Sequence, residues 1–306
     1  MDRVFKLGLP RPVGPGTIRA VVRFFTISHV TRGDGSAVFA DWIDCGPLHL
    51  PTFSTLLSLG LTGAVCISLW QARRRNFPLT WAFDAVLVAA SGGLVGARLT
   101  YVAVNWTYYQ DHSLPALPGS EALHLGAGGL AWQGGLVLGV LGVVLYAWRG
   151  KVPLGTLLDV LALGLAWFVL FIWLGSGAAN DVYGRETFPG EGLLWTLSAD
   201  LPDLYGLRAP RVNVSLLGAV WSGLVLISLS LSSFRWTARD GVLFFVCIGL
   251  TGLGGLLLVP LQANPAPFLF HVRVDWLFNL ALLVVGLGGV SFVGGRNLNS
   301  VSRGAS

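Results

Sequence analysis

The sequence predicts an all-α integral membrane protein of about seven transmembrane helices with a small extracytoplasmic cap. Of its 306 residues, 54% are hydrophobic, and the mean hydropathy is +0.69. Only 11% of the residues are charged, against roughly 25% in an ordinary soluble domain. A soluble chain of this length could not cover its surface with so few charges. Each apolar stretch must be helical, because an open sheet edge in lipid leaves backbone groups without hydrogen bonds.

Seven apolar stretches are long enough to cross the bilayer, which takes roughly 20 helical residues for about 30 Å of hydrocarbon. They lie near residues 53–70, 82–104, 128–148, 154–175, 213–233, 241–260 and 274–294. Only the short segment 148–153 separates the third stretch from the fourth. We therefore expect these two helices to pair as a hairpin.

Basic residues in the loops predict the orientation of the bundle. The loops after helices one, three, five and seven carry Arg73, Arg74, Arg75, Arg149, Lys151, Arg235, Arg239, Arg296 and Arg303. The loops after helices two, four and six carry only Arg185, Arg208, Arg211 and Arg273. Since cytoplasmic loops carry the excess of basic residues, we expect the N-terminus outside the cytoplasm and the C-terminus inside.

This topology divides the chain into three parts. Residues 1–40 form a basic N-terminal tail, and its segment 18–25 is either an amphipathic helix on the membrane surface or part of a disordered extension. Residues 41–295 form the transmembrane domain, with an outer cap at about 176–212, and residues 296–306 form a cytoplasmic tail. The basic residues form no stripe of the kind that nucleic acid binding needs, so we expect no nucleic-acid partner.

Arg98 is the first candidate for function and lies in the outer part of the second helix, close to Tyr101. An arginine at the bilayer centre costs at least about 2.5 kcal/mol and indicates a functional site by default. Its planar guanidinium binds phosphate through two hydrogen bonds, so a lipid phosphate is the expected partner. The alternative is that Arg98 reaches out to the headgroups and has no further role.

Gln133 is the second candidate and lies between two glycine pairs, 128–129 and 134–135, at the start of the third helix. One interpretation is close helix packing, with Gln133 capping a local break in the helix. The other is a backbone notch that admits a ligand, with Gln133 as its polar contact.

The third candidate is the run of small residues after the fourth helix, which continues into Asn180, Asp181, Gly184 and Arg185. Small residues suggest a re-entrant segment, which lipid tolerates only where it lines protein or a cavity. Asp181 and Arg185 can pair if this stretch is helical. The alternative is a surface loop with an ordinary salt bridge.

The remaining ionisable residues of the helices have simpler interpretations. Asp84, Asp159 and Asp275 lie near the N-terminal ends of helices, where a carboxylate favours the helix dipole. The five histidines show no metal-binding spacing, so we expect no metal site and no cofactor.

In this order, these motifs resemble the prolipoprotein diacylglyceryl transferases over roughly residues 37–295. The matching residues are Cys45 to Leu48, Gly96 to Arg98 with Tyr101, the glycine pairs 128–129 and 134–135, Asp159, and Tyr183 to Arg185. The resemblance implies seven helices in a bacterial cytoplasmic membrane and transfer of a diacylglyceryl group from phosphatidylglycerol to a prolipoprotein lipobox cysteine. It implies that Asp181 and Arg185 are catalytic, and that the lipid-binding residues are Arg98, Tyr101, Gln133, Asn180, Gly184 and Arg211.

The chain also departs from the family pattern. Gln133 stands where the family has a histidine, and the family's glycine-arginine motif after the fourth helix reads as residues 172–176 without its arginine. The arginine and glutamate of the family's sixth helix fall near Gly254 and Leu258. Arg98, Arg185 and Arg211 are the cations that can compensate. One hypothesis is an enzyme, either a divergent diacylglyceryl transferase or a transferase that uses another lipid donor. The other is a catalytically degenerate relative that acts as a lipid-binding or membrane-complex subunit. A small-solute transporter is disfavoured, because the membrane interior offers almost no charged pathway.

Overall fold

The computed structural model describes residues 26–27, 42–45, 48–111, 129–203, 205–235 and 240–303. The chain divides into two compact units, residues 1–52 and residues 53–306. In the first, an antiparallel sheet has the order β1 (Thr26–Ile27), β2 (Trp42–Cys45) and β3 (Leu48–Pro51), with Cys45 opposite Leu48. The proposed amphipathic segment 18–25 lies outside the described residues.

Helices dominate the rest of the chain. They are α1 (Thr52–Arg74), α2 (Leu79–Val104), α3 (Trp106–Asp111), α4 (Trp132–Gly150), α5 (Leu154–Ala179), α6 (Leu193–Thr196), α7 (Val214–Arg235), α8 (Val242–Leu258) and α9 (Val274–Arg303). Within the described ranges, seven of them are long and apolar enough to cross a membrane, namely all except α3 and α6. The predicted all-α membrane fold of seven spans is confirmed.

The helix ends follow local backbone conformation. The helix predicted from residue 128 begins at Trp132, because Gly129 has a φ of +76° and the Ala131 N–H donates to the Ala97 carbonyl of α2 at 3.0 Å. The turn between α4 and α5 is as short as predicted, and Lys151 closes it with a φ of 52°. In contrast, α9 continues to Arg303, well beyond the predicted residue 294.

Glycines decide which helices pack together. The predicted α4–α5 hairpin is wrong as a packing unit, because α4 packs chiefly on α2 and only lightly on α5. A Cβ on Gly96 would collide with the Gly134 carbonyl oxygen, and one on Gly139 would lie 3.0 Å from the Ala89 carbonyl oxygen. Small residues let the two backbones approach this closely. The helices α8 and α9 form a second pair through Gly249 and Gly286.

The central helix is α5, which supplies more of the fully buried side chains than any other described helix. Leu157, Val160 and Leu163 pack there with Leu229 of α7 and Leu243 of α8. On its other side, Gly164 accommodates Ala64 and Ser68 of α1. These leucines and the valine belong to the larger of two apolar clusters in the described part of the chain, and the smaller one contains Val212, Val214 and Leu258.

The segment between α5 and α7, residues 180–213, forms the cap. Its strands β4 (Ser198–Pro202) and β5 (Arg208–Val212) pair antiparallel, with Ser198 opposite Val212. The segment 183–187 lies beside β5: Gly184 N–H donates to the Val212 carbonyl at 3.1 Å. On its other edge, Arg185 N–H donates to the Leu261 carbonyl at 2.9 Å. Hydrogen bonds therefore join the cap to the residues that follow α8.

A hairpin precedes the last helix. Its strands are β6 (Phe268–Leu269) and β7 (Val272–Arg273), and the turn residues Phe270 and His271 have φ values of 49° and 65°. Two positive φ values suit the twist of a two-residue hairpin turn. The hairpin therefore brings Arg273 directly to the start of α9.

Two of the three helix-dipole interpretations are wrong. The first turns of α2 and α5 contain no acidic residue; Asp84 instead accepts a hydrogen bond from the Tyr146 hydroxyl at 3.2 Å. The Asp159 carboxylate accepts a hydrogen bond from the Phe244 N–H at 3.1 Å. It therefore lies at the N-terminal end of α8 and not at that of its own helix, α5. Asp275 does lie in the first turn of its helix, α9.

Candidate functional site

Arg98 lies inside the protein near the end of α2. Its residue is only 5% exposed, and its Nη1 donates to the Gly129 carbonyl at 3.1 Å. The guanidinium carbon lies 5.9 Å from the Tyr101 ring centroid and 5.7 Å from that of Tyr109, within the range of cation–π contacts. This enclosure favours the functional interpretation of Arg98 over an extended side chain at the headgroups.

Tyr101 and Gly129 fix the surroundings of Arg98. A Cβ on Gly129 would collide with the Tyr101 ring, and the φ of +76° also favours glycine at this position. The glycine therefore lets the segment before α4 pass directly over the tyrosine. The Tyr101 ring occupies the space beside Gly129, and a ligand notch at this position with Gln133 as its contact stays a prediction.

Gln133 belongs to a polar network that joins α4 to α9. Its Nε2 donates to Asp275 Oδ1 at 2.7 Å, and Asp275 Oδ2 accepts from Arg273 Nη2 at 3.3 Å. Arg273 also donates to Gln262, through Nη1 to the carbonyl at 3.2 Å and through Nη2 to Oε1 at 3.4 Å. Gln262 is paired with Gly184 of the cap. No side chain caps α4, so Gln133 does not have the predicted capping role.

Sequence reasoning missed Arg273 and Asp275 as part of this site. Their signal was present: two opposite charges lie two residues apart at the start of an apolar helix. Charged residues there are costly and tend to mark function. A purely local interpretation assigned Asp275 to the dipole of α9 and left its partner across the bundle unseen.

Asn180 and Asp181 end helix α5. Asn180 adopts the left-handed conformation (φ 54°, ψ 26°), and Asp181 N–H donates to the Ser176 carbonyl at 3.2 Å. Asparagine tolerates this conformation at a helix end. The following residues are extended, so the helical condition for an Asp181–Arg185 pair is not met. Arg185 Nη2 instead pairs with Glu191 Oε2 at 3.0 Å, and both side chains are partly exposed.

Arg211 is buried in the cap, where acidic side chains balance its charge. Its Nη2 lies 2.7 Å from Glu186 Oε1 and 3.2 Å from Asp203 Oδ2, and its guanidinium carbon lies 5.3 Å from the Tyr183 ring centroid. Gly184 is required beside it, because a Cβ there would collide with the Val212 carbonyl oxygen. The motif around Gly184 and Arg211 thus holds the cap together.

The structure groups the predicted residues by location. Arg98 and Tyr101 lie with Gly129, Gln133 lies with Asp275, and Gly184 and Arg211 lie in the cap. The transferase hypothesis predicts that Arg98, Asp181, Arg185 and Arg211 converge on one cavity that opens laterally to lipid, and this stays a prediction. Across the part of the chain that the structure describes, no group of three or more His, Cys, Asp or Glu side chains could hold a metal ion.

These features define a polytopic membrane protein in which buried arginines and a polar network lie at one end of an apolar helix bundle. The family model for prolipoprotein diacylglyceryl transferase matches residues 41–292, and the chain belongs to this family. The resemblance predicted from its motifs is confirmed.

Named relatives support this assignment. The phosphatidylglycerol–prolipoprotein diacylglyceryl transferase of Streptococcus agalactiae is 25% identical over 248 residues, which cover 80% of this chain and 92% of that protein. The protein of the same name from Mycobacterium tuberculosis is 27% identical over 242 residues, covering 75% of this chain and 51% of that protein.

Proposed function

We propose that this chain is a diacylglyceryl transferase that moves the diacylglyceryl group of phosphatidylglycerol to the thiol of a prolipoprotein cysteine. The observation that carries the proposal is the family match over residues 41–292, which extends from before α1 into α9. The relative from Streptococcus agalactiae, whose match spans 80% of this chain, is named for this transfer reaction. The buried Arg98 supports it, because the reaction needs a cation at the lipid phosphate.

The proposed reaction is a nucleophilic displacement at carbon. The thiolate sulfur attacks the glyceryl carbon, a C–S bond forms, and the C–O bond to phosphate breaks. Glycerol phosphate leaves with the bonding electron pair, so negative charge grows on the phosphate. In a site that excludes water, removing one donor to a developing oxyanion costs about 2.7–4 kcal/mol. A positioned cation is therefore the main contribution expected from the protein.

Of the three candidate cations, we assign Arg98 to the phosphate. Arg185 and Arg211 both lie in the cap, outside the spanning helices, and Arg185 is exposed. Arg98 is buried in a spanning helix, and its contacts with the Gly129 carbonyl and two tyrosines orient its donors. The planar guanidinium then matches a phosphate oxygen pair.

We further propose the location and orientation of the protein. It spans the bacterial cytoplasmic membrane several times, with the cap outside and the α4–α5 turn inside. The basic loop residues and the bacterial origin of the relatives support this. The cap end is then the side on which a secreted prolipoprotein meets the enzyme.

The alternative is a catalytically degenerate relative that binds lipid as a membrane-complex subunit. Gln133 favours it, because an amide cannot take the thiol proton that the histidine of the family could accept. Under the transferase proposal that proton passes to another base or to water.

Complementation tests the proposal. The chain is expressed in a bacterium depleted of its own transferase, and lipidation of one reporter lipoprotein is followed by gel shift. We expect lipidation with the wild type, loss with Arg98→Ala, and retention with Arg149→Ala, which removes an exposed arginine at the end of α4. No lipidation by a wild-type protein shown to be inserted and folded would contradict the proposal and favour the lipid-binding subunit.

A further inference from the structure

We propose that Gln133 and Asp275, held by Arg273, form a hydroxyl-recognising subsite for the polyol headgroup of an anionic phospholipid. The inference deepens the proposed function and rests on it for the identity of the lipid, phosphatidylglycerol, whose headgroup carries two hydroxyls. It assigns specificity for the headgroup to residues other than Arg98, which we assign to the phosphate.

The geometry fixes which atoms face a ligand. A carboxylate only accepts hydrogen bonds, so the Gln133 amide must turn its Nε2 toward Asp275, at 2.7 Å from Oδ1. Among the described residues, Gln133 Oε1 then has no donor of its own. Arg273 Nε is likewise buried without a partner among them, although both terminal nitrogens of Arg273 are engaged. The network therefore offers a ligand the acceptors of Gln133 and Asp275, while the Nε of Arg273 is buried out of its reach.

This combination matches a hydroxyl better than the other headgroup chemistries. A hydroxyl can donate a hydrogen bond to these acceptors, whereas a phosphodiester oxygen, which only accepts, cannot. Arg273 and Asp275 form a 3.3 Å ion pair whose charges balance, which leaves little net attraction for either a second phosphate or an ammonium headgroup.

The network lies where lipid can reach it. The side chains of Asp275 and Arg273 are 16% and 18% exposed. Trp132 and Trp276 adjoin Gln133 and Asp275 in the sequence and are 38% and 39% exposed. Tryptophan favours the membrane interface. The helix pairs α2–α4 and α8–α9 meet here, through Gln133 with Asp275 and through the rings of Trp132 and Phe278 at 5.1 Å.

The subsite is also close to Arg98 along the chain. Arg98 contacts the Gly129 carbonyl, only four residues before Gln133, and Ala97 contacts Ala131 in between. In phosphatidylglycerol the glycerol headgroup is attached directly to the phosphate. A phosphate held by Arg98 would therefore place its headgroup hydroxyls beside the start of α4.

Two lipids that differ only in the headgroup hydroxyls test the inference. Phosphatidylglycerol and phosphatidylpropanol with the same acyl chains carry the same phosphodiester charge, but the second has no hydroxyl. Their dissociation constants are measured on the purified full-length protein in micelles by displacement of a fluorescent phosphatidylglycerol. We expect the wild type to bind phosphatidylglycerol about tenfold more tightly, the factor that one charge-assisted hydrogen bond represents.

Asp275→Asn keeps the shape of the side chain and removes its charge, and Gln133→Met keeps the length and removes the free acceptor. Both should reduce the preference to about equal binding, whereas the matched control Asp84→Asn, at the other end of the bundle, should keep it. Equal binding of the two lipids by the wild type would overturn the inference, as would an unchanged preference in both variants. Gln133→Met serves as the test if Asp275→Asn fails to fold.

Transfer by the same wild-type preparation separates the two proposals. Transfer without any headgroup preference would refute the subsite and leave the transferase. A headgroup preference that the variants abolish, without transfer, would refute the transferase and support the subsite.

Discussion

The Arg75 guanidinium and the Asp159 carboxylate form an ion pair, with Nη1 and Oδ2 3.1 Å apart, at the end of the bundle opposite the cap. Their side chains are 7% and 0% exposed. Because Asp159 Oδ1 also accepts a hydrogen bond from the Phe244 N–H, this carboxylate of α5 joins the residue after α1 to the start of α8.

Breaking this pair from one side should destabilise the protein strongly. Asp159→Leu leaves the Arg75 charge buried without its partner, which typically costs about 3–5 kcal/mol. We expect a clear drop in the thermal unfolding midpoint of the purified protein in detergent. The double variant Arg75→Met with Asp159→Leu should recover much of the loss. If the double variant is as unstable as the single one, the pair is not the cause.

Close packing of α2 on α4 depends on Gly96. In Gly96→Ala the new methyl group meets the Gly134 carbonyl, which is backbone and cannot rotate away. Overpacking of this kind costs about 1–3 kcal/mol. Gly223→Ala is the matched control, since nothing lies within 4 Å of a Cβ at that helical position. Thermal unfolding of both variants checks the prediction, and equal midpoints would contradict it.

Arg211 should matter for the cap more than for the spanning helices. Arg211→Met leaves Glu186 and Asp203 facing each other without their cation. We expect faster limited proteolysis within residues 180–213, while the spanning helices remain protected. Arg185→Ala removes an exposed arginine from the same cap and should change little, because exposed ion pairs contribute only about 0.2–1 kcal/mol. Equal cleavage of the two variants would show that Arg211 does not hold the cap.

Cysteine labelling can determine the orientation. In a variant without native cysteines, Tyr205→Cys places a thiol in the cap at a position that is 85% exposed, and Lys151→Cys places one in the exposed α4–α5 turn. With a membrane-impermeant maleimide on intact cells, we expect Tyr205→Cys to react. Lys151→Cys should react only after lysis. The reverse pattern would invert the proposed topology.

The sequence predicted the spanning helices well because their signal is the length of an apolar run. It could not predict their partners: the choice of α2 over α5 as neighbour of α4 depends on glycines such as Gly96 and Gly134 facing each other in space. The structure begins α4 at Trp132, four residues after the predicted start at 128, because tertiary packing holds Gly129 over the Tyr101 ring.

For the site, the sequence indicated which residue types matter but not which residues contact each other. Arg98 was singled out by its cost in a membrane. However, Glu186, which pairs with Arg211, is 25 residues away in the sequence, and Asp275, the partner of Gln133, is 142 residues away. Arg75, counted among the loop charges that orient the bundle, is buried against Asp159. A count of charges cannot distinguish a solvated arginine from a paired one.

The doubly hydrogen-bonded segment 183–187 bears on how substrates come and go. Both of its backbone edges are occupied, one by β5 and the other by the residues after α8. Moving this segment away from its neighbours would break the hydrogen bonds on both edges at once. We therefore expect a lipid donor and a lipid-bearing product to exchange sideways through the bilayer, while this segment of the cap stays in place.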